Sequence, residues 1–189
     1  MKAKWLIWSV TLASLIAPAS VGSAKSEDQQ NATAHADHVS GPLPKAVREA
    51  TEQFQDVNNA IAAGYVLTNT CVSGPQEGAM GVHYVNPSLF DDELDVEHPE
   101  ALVYEPRRGR LQLVAAEYIT PVAAWHASHP PADTPQLMGQ LFHLVPGPNR
   151  YGPDAFYEIH VWAWKANRHG AFSDWNPDVS CSSWQAQTN

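Results

Sequence analysis

The sequence predicts an α+β domain, built mainly from an antiparallel β-sheet or a small β-barrel, with one N-terminal helix packed on it. Two observations support this class. One stretch of the chain has strong helical periodicity, and the chain beyond it consists of six short β-type runs separated by turn-forming residues. A chain of 189 residues is long enough for one domain with a substantial buried core.

The first 24 residues have the three parts of a secretory signal peptide. Lys2 and Lys4 give a positive start, an apolar stretch follows over residues 5–17, and Gly22-Ser23-Ala24 supplies small residues for cleavage. A retained membrane anchor is the alternative, but this stretch is shorter than the roughly 20 apolar residues of a spanning helix. We expect cleavage, no membrane insertion afterwards, and a periplasmic or secreted protein.

Residues 25–41 are polar and rich in small side chains, which predicts a disordered leader before a single domain over residues 42–189. The full chain has 11 Lys and Arg against 20 Asp and Glu, a formal net charge of −9. This acidic balance argues against nucleic acid as a partner, because phosphate backbones attract basic surfaces. We expect a small molecule as the ligand or substrate.

The two cysteines, Cys71 and Cys181, both fall in the part of the chain expected to be exported. In an oxidising compartment, a pair of cysteines is most simply joined as one disulfide. The absence of a CxxC motif gives no support for a redox-active dithiol or a zinc knuckle. We therefore predict a structural disulfide that ties the end of the chain to the region after the helix.

The helix is predicted over residues 44–63. Pro44 suits its first turn, Gly64 suits its C-terminal cap, and apolar side chains recur at spacings of three and four. We expect this apolar stripe to pack on the sheet. The stripe consists of Val47, Ala50, Phe54, Val57 and Ile61.

Six strands are predicted after the helix, each a short run of β-type residues between turns. They cover residues 65–70, 81–86, 101–105, 110–119, 140–145 and 155–165. The last two are expected to form a hairpin. If its loop is symmetric about Tyr151-Gly152, His143 lies directly opposite His160, and opposed residues share one face of a sheet.

The candidate functional residues lie on these strands. Two opposed imidazoles, with Cβ atoms about 4.5–5.5 Å apart, can reach one metal ion together. His83 lies in the middle of another strand. Simple alternation places Glu117 on a face where a carboxylate is costly unless it is paired, protonated or bound to a cation. The apolar side chains expected on that face are Leu111, Leu113, Ala115 and Ile119.

These side chains predict a site for one transition metal ion, such as Cu, Zn, Fe or Mn. Its expected ligands are His83, Glu117, His143 and His160. Glu158 and Trp162 share a face with His160, and we expect them to support the site from outside the ligand set. A slip of one residue would put the rings of His143 and His160 on opposite faces. Ordinary core histidines are the alternative interpretation, because no close motif such as HxH is present.

Other motifs exclude or weaken other functions. The chain has no G-x-S-x-G, P-loop or G-x-G-x-x-G motif, which argues against nucleophilic and nucleotide chemistry. The acidic stretch over residues 91–100 lacks the ligand order of an EF-hand. Arg107, Arg108 and Arg110 cluster at a predicted hairpin tip, either as an anion-binding group or as solvated charges.

Several motifs resemble those of a family of small exported bacterial proteins of unknown function. The C-terminal motifs are His160-Val161-Trp162-Ala163-Trp164 and Asp174-Trp175-Asn176-Pro177, and the earlier ones cover residues 78–84 and 113–118. The resemblance spans roughly residues 45–181 and implies no activity. The His and Glu set is similar to that of cupins by analogy alone, since the HxH pair of cupins is absent.

Two functions follow from these expectations. The first is an exported metal-binding protein, in which a metal ion with an open position would support an oxidoreductase reaction. The second is a non-catalytic periplasmic binding module for a small apolar or carbohydrate-like ligand. Its aromatic pocket would lie around Trp162, Trp164 and Trp175.

Overall fold

The computed structural model describes residues 40–68 and 70–184. The predicted signal peptide and nearly all of the predicted leader lie outside these residues. The described chain combines helices with an antiparallel sheet, so the predicted α+β class is confirmed. The sheet of the described chain is open, and no closed barrel is seen in it. Within the same residues, no helix combines the length and apolar character that crossing a membrane requires.

The N-terminal helical region is divided into three parts. These are α1 (Pro42–Thr51), a 3₁₀ turn (Glu52–Gln55) and α2 (Val57–Ala62). Asp56 is extended and interrupts the helix, and its side chain caps α2 by accepting a hydrogen bond from the backbone N–H of Asn58. Gly64 follows α2 with a φ of 96°, as expected of a residue that ends a helix.

The apolar stripe of the predicted helix is buried or partly buried as far as Val57, just after this break, and is exposed at Ile61. Val47 and Phe54 are buried in the main core. Ile61 is 51% exposed, because the extended residue Asp56 rotates α2 relative to α1. The expectation that Ile61 packs on the sheet is therefore wrong. A spacing of 3.6 residues places apolar side chains on one face only within an unbroken helix.

All six predicted runs contain strand, although their boundaries differ. The strands are β1 (Val66–Leu67), β2 (Val72–Gly74), β3 (Gly78–Val85), β4 (Ala101–Arg107), β5 (Arg110–Pro121), β6 (Gln136–Leu137), β7 (Gln140–Leu141), β8 (His143–Val145) and β9 (Phe156–Val161). A short helix, α3 (Val122–Ser128), follows β5 and was not predicted. The main sheet has the order β1-β3-β4-β5-β9-β8, with β2 paired to β3, while β6 and β7 form a separate pair.

The two faces of the main sheet have different surroundings, because successive side chains of a strand point to opposite faces. On one face, Tyr104 and Tyr118 pack with Leu43 and Val47 of α1 in the main core. The opposite face carries the predicted site residues. It is covered by the loop over residues 146–154 and by the C-terminal segment over residues 162–184. Both of these contact the predicted site residues.

A β-bulge at Val114 changes the pattern expected along β5, because this residue has no opposed partner on β4. Leu111 and Leu113 precede the bulge and pack with the main core on the helix side. The expectation that they share the face of Glu117 is therefore wrong. Ile119, which follows the bulge, retains the expected alternation with Glu117.

The C-terminal segment crosses the edge of the sheet at a position that requires glycine. Ala79 and Asn176 exchange two backbone hydrogen bonds of 3.1 Å. Gly78 has a φ of 91°, and a Cβ atom there would lie 2.2 Å from the carbonyl oxygen of Asn176. The predicted disulfide between Cys71 and Cys181 is present and holds the same segment.

The first prediction concerns this disulfide. Because it closes a loop of 110 residues, the variant Cys71→Ser/Cys181→Ser should lose about 4 kcal/mol of unfolding free energy. Urea denaturation of the oxidised wild type and the variant measures the difference. The reduced wild type is the control and should behave like the variant. Equal midpoints for all three proteins would contradict the prediction.

The second prediction concerns Glu100, a buried carboxyl group next to β4. Its Oε2 accepts a hydrogen bond of 2.8 Å from the backbone N–H of Ile119. Burial raises the pKa of Glu100 from 4.5 to about 8. The folded protein therefore keeps this proton over a pH range in which the unfolded chain has lost it.

The contribution of Glu100 to stability should accordingly be greatest below pH 4.5 and should decrease as the pH rises from 4.5 to about 8. The contribution is at most about 5 kcal/mol. Glu100→Gln should remove this part of the pH dependence and should be more stable than the wild type above about pH 8. Urea midpoints measured across this range test the idea. Parallel pH profiles for the two proteins would contradict it.

Candidate metal centre

Three strands bring His83, Glu117 and His160 together. Glu117 on β5 lies directly opposite His160 on β9, and His83 extends from β3 on the same face. On the intervening strand β4, the residue opposite Glu117 is Ala101, whose small side chain leaves space for His83 and Glu117 to meet. The side chains of all three site residues are fully buried.

The distances within this group suit three ligands around one ion. Oε2 of Glu117 lies 3.5 Å from Nε2 of His83 and 3.9 Å from Nε2 of His160. These separations are too long for good hydrogen bonds. Ligands placed tetrahedrally at 2.0–2.1 Å from a metal ion are about 3.3 Å apart. The three ligand atoms lie within 4.8 Å of one another, so a single ion can contact all of them.

The imidazole rings of this group lack hydrogen-bond partners. Within the described part of the chain, neither ring nitrogen of His83 or His160 has one. Buried polar atoms normally have partners, because leaving them unpaired has a cost of about 1–3 kcal/mol each. Coordination to a metal ion would satisfy one nitrogen of each ring. The Nδ1 atom of His160 also lies 3.7 Å from Oδ1 of Asp174.

His143, the fourth predicted ligand, belongs to a second group. Its Nε2 atom lies 3.3 Å from Oε1 of Glu158 and 3.3 Å from Oδ2 of Asp174. The ligand atoms of these three residues also lie within 4.8 Å of one another. His143 is half-exposed, whereas Glu158 is buried. This group is therefore the more accessible of the two.

The predicted pairing of His143 with His160 is wrong by two residues, because His143 lies opposite Glu158. The hairpin turn is centred one residue earlier than expected. Asn149 and Gly152 exchange backbone hydrogen bonds, which puts Arg150 and Tyr151 at the turn. A shift of two residues keeps His143 on the same face as His160.

Arg150 and Tyr151, at the tip of this turn, cover the centre and were not predicted as site residues. The guanidinium of Arg150 donates hydrogen bonds to both Glu117 and Glu158. The hydroxyl group of Tyr151 donates a hydrogen bond of 2.8 Å to Oε2 of Glu117. The sequence carries one signal for Arg150, which is the only Lys or Arg between Arg110 and Lys165. Two buried glutamates in that interval need a cation.

The local charges give the ionisable groups different protonation states. Burial lowers the pKa of His83 to about 3, so its ring is neutral and can bind a metal ion. For His160, burial lowers the pKa, but the charge of Glu117 reverses this and the net change is upward. Burial and the neighbouring Glu117 raise the pKa of Glu158. For Glu117 itself, burial is outweighed by His160 and Arg150, and its pKa is lowered.

The charges of the two groups balance with a divalent cation. When all three carboxyl groups are ionised and the imidazoles are neutral, three carboxylates and one guanidinium leave two negative charges. The groups concerned are Glu117, Glu158, Asp174 and Arg150. Without a metal ion, protons on imidazoles supply the balance, since hydrogen bonds to Asp174 and then Glu158 raise the pKa of His143 to about 10. Metal binding would therefore displace protons.

Trp162 and Trp164 lie in different parts of the core and do not form the common aromatic pocket considered above. Trp162 is fully buried beside His160, with ring centroids 6.3 Å apart. Trp164 packs against the main core on the helix side, and its Nε1 donates a hydrogen bond of 2.9 Å to Thr51. Trp162 is thus a neighbour of the candidate centre, and Trp164 is not.

Comparison with known protein families, curated proteins and solved structures finds no match for this chain. The function of the chain is therefore inferred from the site itself. The resemblance to small exported bacterial proteins stays an expectation from the sequence.

The third prediction concerns Arg150. Arg150→Met should lower the unfolding free energy of the metal-free protein by roughly 3–5 kcal/mol, because it leaves two buried carboxylates without their cation. Adding Glu158→Gln should restore part of the loss. The control is Arg168→Met, which removes an exposed ion pair with Asp178 and should change stability by less than about 1 kcal/mol. Thermal denaturation measures all four proteins, and equal effects at Arg150 and Arg168 would contradict the prediction.

Proposed function

We propose that this protein is exported and binds one divalent transition metal ion through His83, Glu117 and His160. The observation that carries the proposal is the arrangement of two buried imidazoles around one carboxylate oxygen. Neither ring has a hydrogen-bond partner in the described chain, and both Nε2 atoms face Oε2 of Glu117. An ion at the centre of these atoms would satisfy the Nε2 atom of each ring and neutralise the excess negative charge.

The donor set indicates which metals to expect. Imidazole and carboxylate ligands suit Zn(II), Fe(II), Mn(II) and Cu(II), whereas thiolates and thioethers favour Cu(I). Both cysteines are joined in the disulfide, and no free cysteine occurs among the described residues. We therefore expect a metal in its divalent state at this site.

The surrounding residues support this ligand set. Tyr151 fixes the carboxylate of Glu117 by its hydrogen bond, and Asp174 lies near the second nitrogen of His160. Carboxylates in that position orient ligand imidazoles and increase their basicity. Glu158 and His143 extend the charged network toward the surface. These contacts give an outer ring of residues that would hold the ligands in place before the ion arrives.

We extend the proposal to a metal-dependent oxidoreductase. Three protein ligands leave a position for water or substrate, whereas purely structural sites are normally closed by four. Two histidines and one carboxylate with open positions are also the arrangement of non-haem iron oxygenases. Because the ligands are fully buried, a small-molecule substrate would reach the ion only if the turn with Arg150 and Tyr151 moved aside.

Export is proposed from the signal sequence, and the disulfide supports it. Structural disulfides persist in oxidising compartments such as the periplasm and the extracellular space. The resemblance to small exported bacterial proteins points in the same direction. The proposed setting is therefore a compartment outside the cytoplasm, where the chain would acquire its metal after export.

The fourth prediction tests the metal centre. After reconstitution separately with Zn, Fe, Mn and Cu, and removal of free metal, the wild type should retain about one ion per chain of at least one metal. His83→Ala/His160→Ala should bind this metal at least about tenfold more weakly, because two of the three proposed ligands are lost. Elemental analysis gives the stoichiometry, and a competing chelator gives the affinity.

The matched control is His98→Ala/His169→Ala, which removes two exposed histidines away from the centre. It should retain the metal, and the metal should raise its melting temperature as it does for the wild type. Absence of stoichiometric metal from the wild type would contradict the proposal. Equal loss of metal in both double variants would contradict the assigned ligands.

A further inference from the structure

We infer that the tip of the β4–β5 hairpin is a second binding site, for a small organic anion that carries a carboxylate or phosphate group on an apolar body. The site is a cleft of about 730 Å³ at the tip of this hairpin. This volume lies within the range of small-molecule sites. Residues from the hairpin, the 3₁₀ turn and the chain after β9 line it. The lining includes Arg107, Arg108, Arg110, Leu111, Gln55 and Trp164.

The three arginines at this cleft differ from the other cations of the described chain. Arg107, Arg108 and Arg110 form no side-chain hydrogen bond or ion pair with any described residue, although the sequence contains 20 Asp and Glu. Every other described lysine and arginine has a partner. The pairs are Lys45 with Glu49, Arg48 with the carbonyl of Ala163, Arg150 with Glu117, Lys165 with Glu105 and Arg168 with Asp178.

The backbone holds these guanidinium groups close together. Arg107 lies directly opposite Arg110 in the β4–β5 register, and like charges in that position destabilise a sheet. Arg108 and Gly109 form the two-residue turn, with φ values of 50° and 76°. Such turns favour Asn, Asp and Gly. The hairpin tip therefore carries three positive charges at a cost in stability, and a bound anion would remove the repulsion.

The chemistry of the lining defines the ligand. A guanidinium group presents a planar fork of donors that matches carboxylate and phosphate oxygens. Trp164 and Leu111 provide an apolar wall, and the indole is fixed by its hydrogen bond to Thr51. Among the described residues, Asp56 provides the only carboxylate that lines the adjoining cleft, and this carboxylate already caps α2. A net charge of −9 makes nucleic acid unfavourable as the source of the phosphate.

Isothermal titration calorimetry of the disulfide-bonded protein tests the inference with three probes, phenyl phosphate, benzoate and inorganic phosphate. We expect saturable binding of phenyl phosphate or benzoate with one molecule per chain. Inorganic phosphate should bind at least about fivefold more weakly, because it cannot contact Trp164 or Leu111. The probe that binds more tightly identifies phosphate or carboxylate as the preferred group.

Three variants locate the site. Arg107→Gln/Arg110→Gln should weaken binding of the preferred probe at least tenfold, since each guanidinium can donate two hydrogen bonds to it. Lys45→Gln/Arg168→Gln removes the same charge elsewhere and should change the affinity less than about twofold. Arg108→Asn should weaken binding while raising the melting temperature, because Asn suits the turn better. This third variant separates loss of binding from loss of folding.

Three results would overturn the inference. The first is an absence of saturable binding of phenyl phosphate and of benzoate to the wild type. The second is equal weakening in the two double variants, which would indicate a response to overall charge alone. The third is equal affinity for inorganic phosphate and phenyl phosphate, which would remove the apolar body from the assigned ligand.

Discussion

The buried carboxylates of Glu117 and Glu158 impose the main constraint on this structure. Two negative charges in a sheet interior are tolerated only with compensating cations and hydrogen bonds. The turn between β8 and β9 meets this requirement by inserting Arg150 and Tyr151. The site-bearing face of the sheet is therefore organised by charge, whereas the opposite face is organised by apolar packing against α1.

The sequence is sufficient to locate the longer strands of the sheet and insufficient to predict the short strand β2 or the local irregularities of the sheet. Alternation and turn residues locate each main strand, because both depend on neighbouring positions. The bulge at Val114 has no such local signal. Asp is a preferred N-cap residue, but the apolar spacing continues across Asp56 and predicts one unbroken helix. The bulge and the break at Asp56 each change which side chains share a face. This is why Leu113 and Ile61 lie outside their predicted environments.

The candidate site, like the sheet, could be predicted from the sequence only in part. Glu117 could be selected from the sequence because a carboxylate among apolar neighbours needs a partner, and strand histidines supplied the rest of the group. The register of the last hairpin depends on where a long loop turns, so His143 was placed opposite the wrong residue. Asp174 comes from a segment without regular secondary structure, and only the tertiary fold brings it near His160.

The proposed ligands lie far apart in the sequence, so the metal centre can form only after the sheet has folded. Its three proposed ligands come from three strands, and β4 must pair between two of them before the side chains can meet. An unfolded chain therefore carries no preformed centre, and no short segment of it would select a metal ion. Under the proposed function, assembly of the sheet precedes metal loading. The proposed centre would then take its metal from the ions present where folding is completed.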